Sequence, residues 1–402
     1  MKRILFCVVP EKGHLNPCIG PAQHLHAAGF DVAFYAPANI SEQLASAGAF
    51  TFLGSPDTPE RASLSRGASF AANIEDVAWL RRWVHTLLIG HTSSQIDGLR
   101  QVVRQWRPDA MVIDPLFYAP AIVAELEGVP WAALSNSLNP VLPDDLDSEL
   151  LRTLRWLAPE RDQLFARYGL TARFRGCDIL SPHLTIAFAT EDFVGTPPLD
   201  VELVGPSLPV GLRGDETPFP WEWLDAARPL VYMSLGSQLY YQPEVFAKVI
   251  EALRTTPAQL VLSAGELADT DRLPRSDECV VAVRYAPQLD LLQRSRVFIS
   301  HGGANSVMEA LACGVPMLLS PFCNDQFHSA YFVERAGVGH CLDLRRASVA
   351  DIADTLGSLL HSSSPVRDRA ERIRTSYARD GSARAARLIG ELASGNRLAT
   401  RS

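Results

Sequence analysis

Short apolar runs alternating with helix-period stretches, twice over in one chain, constrain this fold more than any other feature. In the first half the runs fall at residues 4–9, 32–36, 50–53, 110–113 and 131–135. Residues 17–28, 41–47, 74–106 and 119–127 carry helical patterns between them. Strands alternating with helices imply a parallel, doubly wound sheet. The pattern breaks at 204–220, where Pro and Gly concentrate and no period survives, as in a linker. A second alternation follows, with strands at 230–234, 260–263, 280–283, 297–300 and 317–319. Its helices are expected at 243–254, 289–294, 305–313, 326–336 and 349–360. The fold class is therefore α/β with two Rossmann-like halves: a domain at 1–204, a linker at 205–221, a second domain at 222–380 and an Arg- and Ala-rich helical tail at 381–402. Neither half has GxGxxG after its first strand, which argues against a dinucleotide dehydrogenase.

Bulk composition agrees. With 402 residues, 47% of them hydrophobic and 20% charged, the chain suits two packed domains. A net charge of −8 argues against a nucleic-acid partner, which selects a basic stripe. The seven cysteines are scattered and form no CxxC pair, so neither a zinc site nor a disulfide framework is indicated. Met1-Lys2-Arg3 leads into an apolar run too short for a signal peptide, and no stretch reaches transmembrane length. The expectation is a cytoplasmic protein without an integral membrane segment. Only Lys2, Lys12 and Lys248 are lysines among 37 basic residues, which points to a GC-rich bacterial genome.

Two distant residues converge by topology. The first strand runs into Gly13-His14-Leu-Asn-Pro17, with Pro17 suited to the first turn of a helix. The fourth ends directly at Asp114. In the strand order 3-2-1-4-5, strands one and four flank the switch point where ligands bind. His14 and Asp114 should meet there as an imidazole with a carboxylate behind it, the basic form of a positioned general base. The irregular segments at 54–72 and 138–147 are candidate substrate-facing loops.

The second half carries Tyr285-Ala-Pro-Gln288, then His301-Gly302-Gly303-Ala-Asn305-Ser306-Val-Met-Glu309, then Asp325-Gln326. A strand turns through two glycines into a helix whose N-terminus offers unpaired N–H groups and a positive dipole end, a seat for phosphate. His301, Asn305 and Ser306 add side-chain donors, and Glu309 is a carboxylate suited to ribose hydroxyls. Ser237, in the turn after this half's first strand, joins the same anion site. No Asp-x-Asp pair stands at a strand end to hold a metal.

This segment resembles the donor signature of the nucleotide-sugar-dependent glycosyltransferases that include plant secondary-product and bacterial antibiotic and macrolide transferases. The resemblance implies the GT-B type of fold, two facing Rossmann-like domains with a cleft between them and a final helix returning to the first. It implies that Tyr285 stacks on the base, Gln288 and Glu309 hold the ribose, and His301, Gly302, Gly303, Asn305 and Ser306 meet the diphosphate. Asp325 and Gln326 would then grip the sugar, while His14, supported by Asp114, removes the acceptor's proton. Tyr285 stands where Trp is usual, and Ala304 where plant members carry Trp, so a plant-like preference for UDP-glucose does not follow. The resulting expectation is an inverting, metal-independent transferase moving a hexose from a UDP- or dTDP-sugar co-substrate, with no cofactor, to a hydroxyl of an apolar small molecule. The alternatives are a nucleotide-sugar epimerase or lipid-linked-sugar transferase on this fold, or an inactive transferase-like partner protein. The sequence names neither the acceptor nor the oligomeric state.

Overall fold

The computed structural model describes residues 1–54, 67–273 and 279–395. Residues 55–66 of the candidate loop at 54–72, and 396–402 of the expected tail, lie outside the described residues. The chain forms two compact units, one from residues 1–54, 76–215 and 379–395, the other from 67–75, 216–273 and 279–378. Their boundary at 215/216 falls inside the segment expected as a linker.

The first unit is built on β1 (Arg3–Cys7), β2 (Asp31–Tyr35), β3 (Thr51–Phe52), β4 (Ala110–Ile113) and β5 (Trp131–Ser135). An antiparallel hairpin of β6 (Arg173–Arg175) and β7 (Asp178–Leu180) follows, then β8 (Leu184–Ala187) and β9 (Glu202–Leu203). The parallel sheet runs β3-β2-β1-β4-β5-β8-β9, containing the 3-2-1-4-5 order expected from sequence. Residues Ile4 to Val9 are at most 1% exposed, because a central parallel strand is covered on both faces. Ile4 stands opposite both Val32 and Ala110, so β1 is the hub.

The first helix, Lys12–Ala27, starts five residues before the expected 17–28 and encloses Pro17 instead of beginning with it. Glu11, in extended backbone, takes the N–H groups of His14 and Leu15 at 2.9 Å each and nucleates the turn. A proline inside a helix removes one i→i−4 bond, and tertiary burial carries that cost here. The long helix expected at 74–106 is divided: Val77–His85, a π-turn at Thr86–Gly90, then Thr92–Trp106. Helix Glu149–Ala166, capped by the Ser148 hydroxyl accepting from Leu151 N–H, was not anticipated. The last helix, Gly381–Ala393, packs on the first; the Ser382 hydroxyl donates to Leu208 O at 2.7 Å.

The second unit repeats the winding with β10 (Leu230–Ser234), β11 (Gln259–Ser263), β12 (Val280–Val283), β13 (Ser295–Ser300), β14 (Met317–Leu319) and β15 (Gly339–Cys341). All its pairs are parallel, in the order β12-β11-β10-β13-β14-β15. Tyr232 stacks on Phe298 across β10 and β13 with ring centres 5.1 Å apart, within the roughly 4.5–7 Å of offset pairs. Helix Val349–Leu360 has the expected bounds and a reciprocal capping box between Ser348 and Asp351. Residues 67–75 pack within this unit: Gly67 N–H donates to Gln238 O at 2.9 Å, and Glu75 pairs with Arg345 at 3.0 Å. Among the described residues no helix is long and apolar enough to cross a membrane.

Candidate active site

In the first unit the crevice lies where the strand order reverses, between β1 and β4. Cys7 and Ile113 are register partners, and Asp114 N–H continues the ladder to Cys7 O at 2.9 Å. That bond sets Asp114 against the loop feeding the first helix, and His14 occupies the helix's first turn. His14 Nδ1 lies 2.6 Å from Asp114 Oδ2 although the two are 100 positions apart. The carboxylate is buried and the imidazole about one-fifth exposed, at 22%. Asp114 Oδ1 accepts from Leu116 N–H at 3.0 Å, which fixes the carboxylate plane.

A third group completes this cluster and was missed by sequence reasoning. Asn136, just past β5, places its amide nitrogen 2.6 Å from His14 Nδ1 and 3.1 Å from Asp114 Oδ2. Its signal was topological: β5 neighbours β4, so the residue after it arrives at the same sheet edge. The loop carrying Asn136 is held by buried Asp178, which accepts from Asn139 Nδ2 at 2.7 Å and from the hydroxyls of Ser135 and Ser137. On the helix side, Asn16 Nδ2 donates to Asp215 Oδ2 at 3.2 Å, and Asp215 pairs with Arg213 at 2.7 Å.

In the second unit the equivalent reversal falls between β10 and β13. β13 delivers His301-Gly302-Gly303, and helix Ala304–Cys313 begins without a side-chain cap, leaving N–H groups of its first turn available to an anion. The His301 ring is cradled by glycines. A Cβ on Gly236 would come within 2.8 Å of the ring, and one on Gly303 within 2.7 Å of Nε2. Gly236 has φ +79° and Gly302 φ +88°, backbone that side-chain-bearing residues adopt only under strain. Burial lowers the His301 pKa to about 4, opposed by a hydrogen bond to the Ser234 backbone, so the ring is neutral near pH 7. Ser237 follows Gly236 and is exposed.

The residues expected to hold the ribose are neighbours. Gln288 Nε2 donates to Glu309 Oε2 at 2.6 Å and to the Ser306 hydroxyl at 3.2 Å, and Asn305 Nδ2 reaches Glu309 Oε1 at 3.4 Å. Tyr232 donates to Gln288 Oε1 at 3.3 Å. Glu309 is buried. Gln326 is also buried: its side-chain oxygen accepts from the N–H groups of Phe322 at 2.8 Å and Cys323 at 3.2 Å, closing its own loop. The Gln326 carbonyl sits 3.1 Å from where a Gly302 Cβ would stand, which seats that loop beside the glycine turn. Asp325 precedes helix Gln326–Ala336, half-buried. Tyr285 is half-buried three residues before Gln288, its carbonyl taking the Thr217 hydroxyl at 3.3 Å.

Two doubly wound units, one holding a His–Asp pair and the other a glycine-lined turn into a helix, make up a fold of GT-B type. Comparison with known proteins agrees. Residues 216–367 match the family described as UDP-glucoronosyl and UDP-glucosyl transferase, and 23–166 match the N-terminal domain of the erythromycin biosynthesis protein CIII-like family. The uncharacterized UDP-glucosyltransferase YojK of Bacillus subtilis is 23% identical over 97% of both chains. The 4'-demethylrebeccamycin synthase of Lentzea aerocolonigenes is 25% identical over 94% of this chain and 96% of its own. In three dimensions the chain is similar to the spinosyn rhamnosyltransferase SpnG complexed with thymidine diphosphate, with a TM-score of 0.73, 17% identity and coverage of 97% and 100%. The chain is thus similar along nearly its whole length to nucleotide-sugar-dependent glycosyltransferases, bacterial antibiotic transferases among them.

Proposed function

We propose that this glycosyltransferase moves a hexose from a UDP- or dTDP-sugar to a hydroxyl group of an apolar natural product, inverting the anomeric centre without a metal. The observation that carries the reading is the 2.6 Å contact between His14 Nδ1 and Asp114 Oδ2. With Nδ1 directed to the carboxylate, Nε2 is the ring nitrogen suited to take the acceptor's proton, and Asp114 stabilises the imidazolium that forms. A free imidazole has a pKa of about 6.5, far below that of an alcohol, so proton transfer and attack on the anomeric carbon proceed together. The sugar–oxygen bond to the diphosphate breaks as the new glycosidic bond forms from the opposite face.

The donor's diphosphate lies at the start of helix Ala304–Cys313 against His301, Gly302, Gly303, Asn305 and Ser306, with Ser237 across the turn. Neutral His301 serves there as a hydrogen-bond donor. Gln288 and Glu309 take the ribose, Tyr285 the base, and Asp325 with Gln326 the sugar hydroxyls. The leaving charge is met by helix dipole and N–H groups, the reason a metal is not required in this reading. Both uridine and thymidine donors stay within it, since YojK is described as a UDP-glucosyltransferase and SpnG was solved with thymidine diphosphate.

Calorimetric titration of the purified chain with UDP-glucose, dTDP-glucose, GDP-mannose and NADH tests the donor site. Binding of one uridine or thymidine sugar is expected; a response to NADH alone overturns the reading. Turnover in the presence of EDTA tests metal independence and is expected to stay unchanged.

A further inference from the structure

The Asn136 amide stands where it opposes its own neighbour. Its nitrogen is 2.6 Å from His14 Nδ1, and the same Nδ1 is 2.6 Å from Asp114 Oδ2. An ionised carboxylate only accepts and an amide nitrogen only donates. Asp114 therefore favours a proton on Nδ1, whereas the Asn136 N–H favours a bare Nδ1. Turning the amide over would set its oxygen 3.1 Å from Asp114 Oδ2, two acceptors facing each other, so the donor orientation is the one this pocket supports.

A charge-assisted bond is roughly twice as strong as a neutral one, so Asp114 wins the contest for Nδ1. The effect of Asn136 is to reduce the margin. A carboxylate so close to an imidazole raises its pKa, and a base that is already protonated at the working pH cannot accept a proton. Asn136 acts against this in two ways with one sign. Its amide dipole sets its positive end against the ring and so opposes the charge of the imidazolium, and its second hydrogen bond, to Asp114 Oδ2, draws charge from the carboxylate. We infer that Asn136 is a positioning residue that keeps His14 unprotonated near neutral pH, so that Asp114 can orient the ring without disabling it. This inference rests on the reading of His14 as the base and adds the device that holds the base ready.

Other charged and titratable groups surround the crevice. Glu11, Lys12 and Cys18 lie on or next to the same helix turn, and Lys12 reaches Asp215 at 3.9 Å beside Arg213. Asp178 stands behind the loop after β5. None is removed by substitution at position 136, so a change in His14 titration on substitution there reports the amide.

The test is to titrate His14 directly by nitrogen-15 spectra of histidine-labelled protein, with His14→Gln identifying its signals. The measurement is repeated in Asn136→Leu and Asn136→Ala, whose folding is checked by thermal melting. The expected result is a His14 pKa raised by about one unit in both variants. The acid limb of kcat/KM should move up equally, giving about a tenfold loss below the limb that is recovered at higher pH. The smaller Ala variant keeps the test available if Leu disturbs the loop. A His14 pKa unchanged or lowered in the folded variants overturns the inference. A raised pKa without movement of the activity limb upholds it and removes His14 from the role of base instead.

Discussion

The first five strands of each sheet are wound alike, β3-β2-β1-β4-β5 in one unit and β12-β11-β10-β13-β14 in the other, but opposite chemistry stands at the two turning points. Beyond β1 and β4 lie a buried carboxylate, a partly exposed imidazole and an amide, packed within 2.6 to 3.1 Å. Beyond β10 and β13 lie glycines, a helix start and a histidine whose pKa is held at about 4. A site that moves a proton needs groups whose charge can change. A site that holds an anion is served by dipoles and by groups that stay fixed across neutral pH. The topology says where a ligand can sit, and the residue at the end of each strand says what happens there.

That division is broken most directly by His14→Ala. Turnover is expected to fall by about 10²–10⁴-fold, the usual contribution of a general base, with nucleotide-sugar affinity unchanged. Steady-state rates and calorimetry on the same preparation check it; a parallel loss of donor binding would sink the idea that the two crevices have separate tasks. Gly236→Ala is the mirror experiment. It combines a φ of +79° with a Cβ 2.8 Å from the His301 ring, so backbone strain and a displaced ring act together. Donor affinity is expected to fall about tenfold or more, each 1.4 kcal/mol being tenfold. The nitrogen-15 signals of His14 should not move.

Most of this architecture was legible because the central strands are covered on both faces and write themselves as uninterrupted apolar runs, as Ile4–Val9 and Val297–Ser300 do. The His14–Asp114 pair followed from strand order plus the residues just past two strands. Less was legible where the signal is short or amphipathic. Helix Glu149–Ala166 mixes Arg and Glu into its exposed face, and β9 has only two residues, too few for a period. Pro17 was given a helix start because its missing N–H costs nothing there, whereas burial lets it sit inside a helix opened by Glu11. The packing of residues 67–75 in the second unit has no local pattern at all; it rests on bonds such as Gly67 to Gln238 and Glu75 to Arg345.

Gln288→Ala sharpens the comparison from the donor side. It removes a 2.6 Å hydrogen bond to Glu309, a carboxylate only 1% exposed, and a hydrogen bond to a charged group contributes about 1.5–3 kcal/mol. The Michaelis constant for the donor should rise about tenfold, with kcat at saturating donor changed less. Initial rates over a donor series separate the two, and a loss confined to kcat would remove Gln288 and Glu309 from ribose binding.

The smallest effect is on stability. His301 and His328, both in the second unit, have pKa values lowered to about 4, in each case mainly by burial. Unfolded histidine titrates near 6.5, so between about 6.5 and 4 the unfolded chain binds protons that the native state does not. Stability must then fall as pH drops through that window and level off below it, by about 1–2 kcal/mol for each histidine after allowing for partial exposure. Between about pH 6.5 and 5 most carboxylates are still ionised, so a slope there belongs to histidine. Melting curves at pH 7, 6 and 5 are expected to show the second unit losing stability first, and His328→Gln to flatten that slope. An equal slope in the variant would mean that neither the buried ring of His328 nor the asymmetry between the two units governs acid sensitivity.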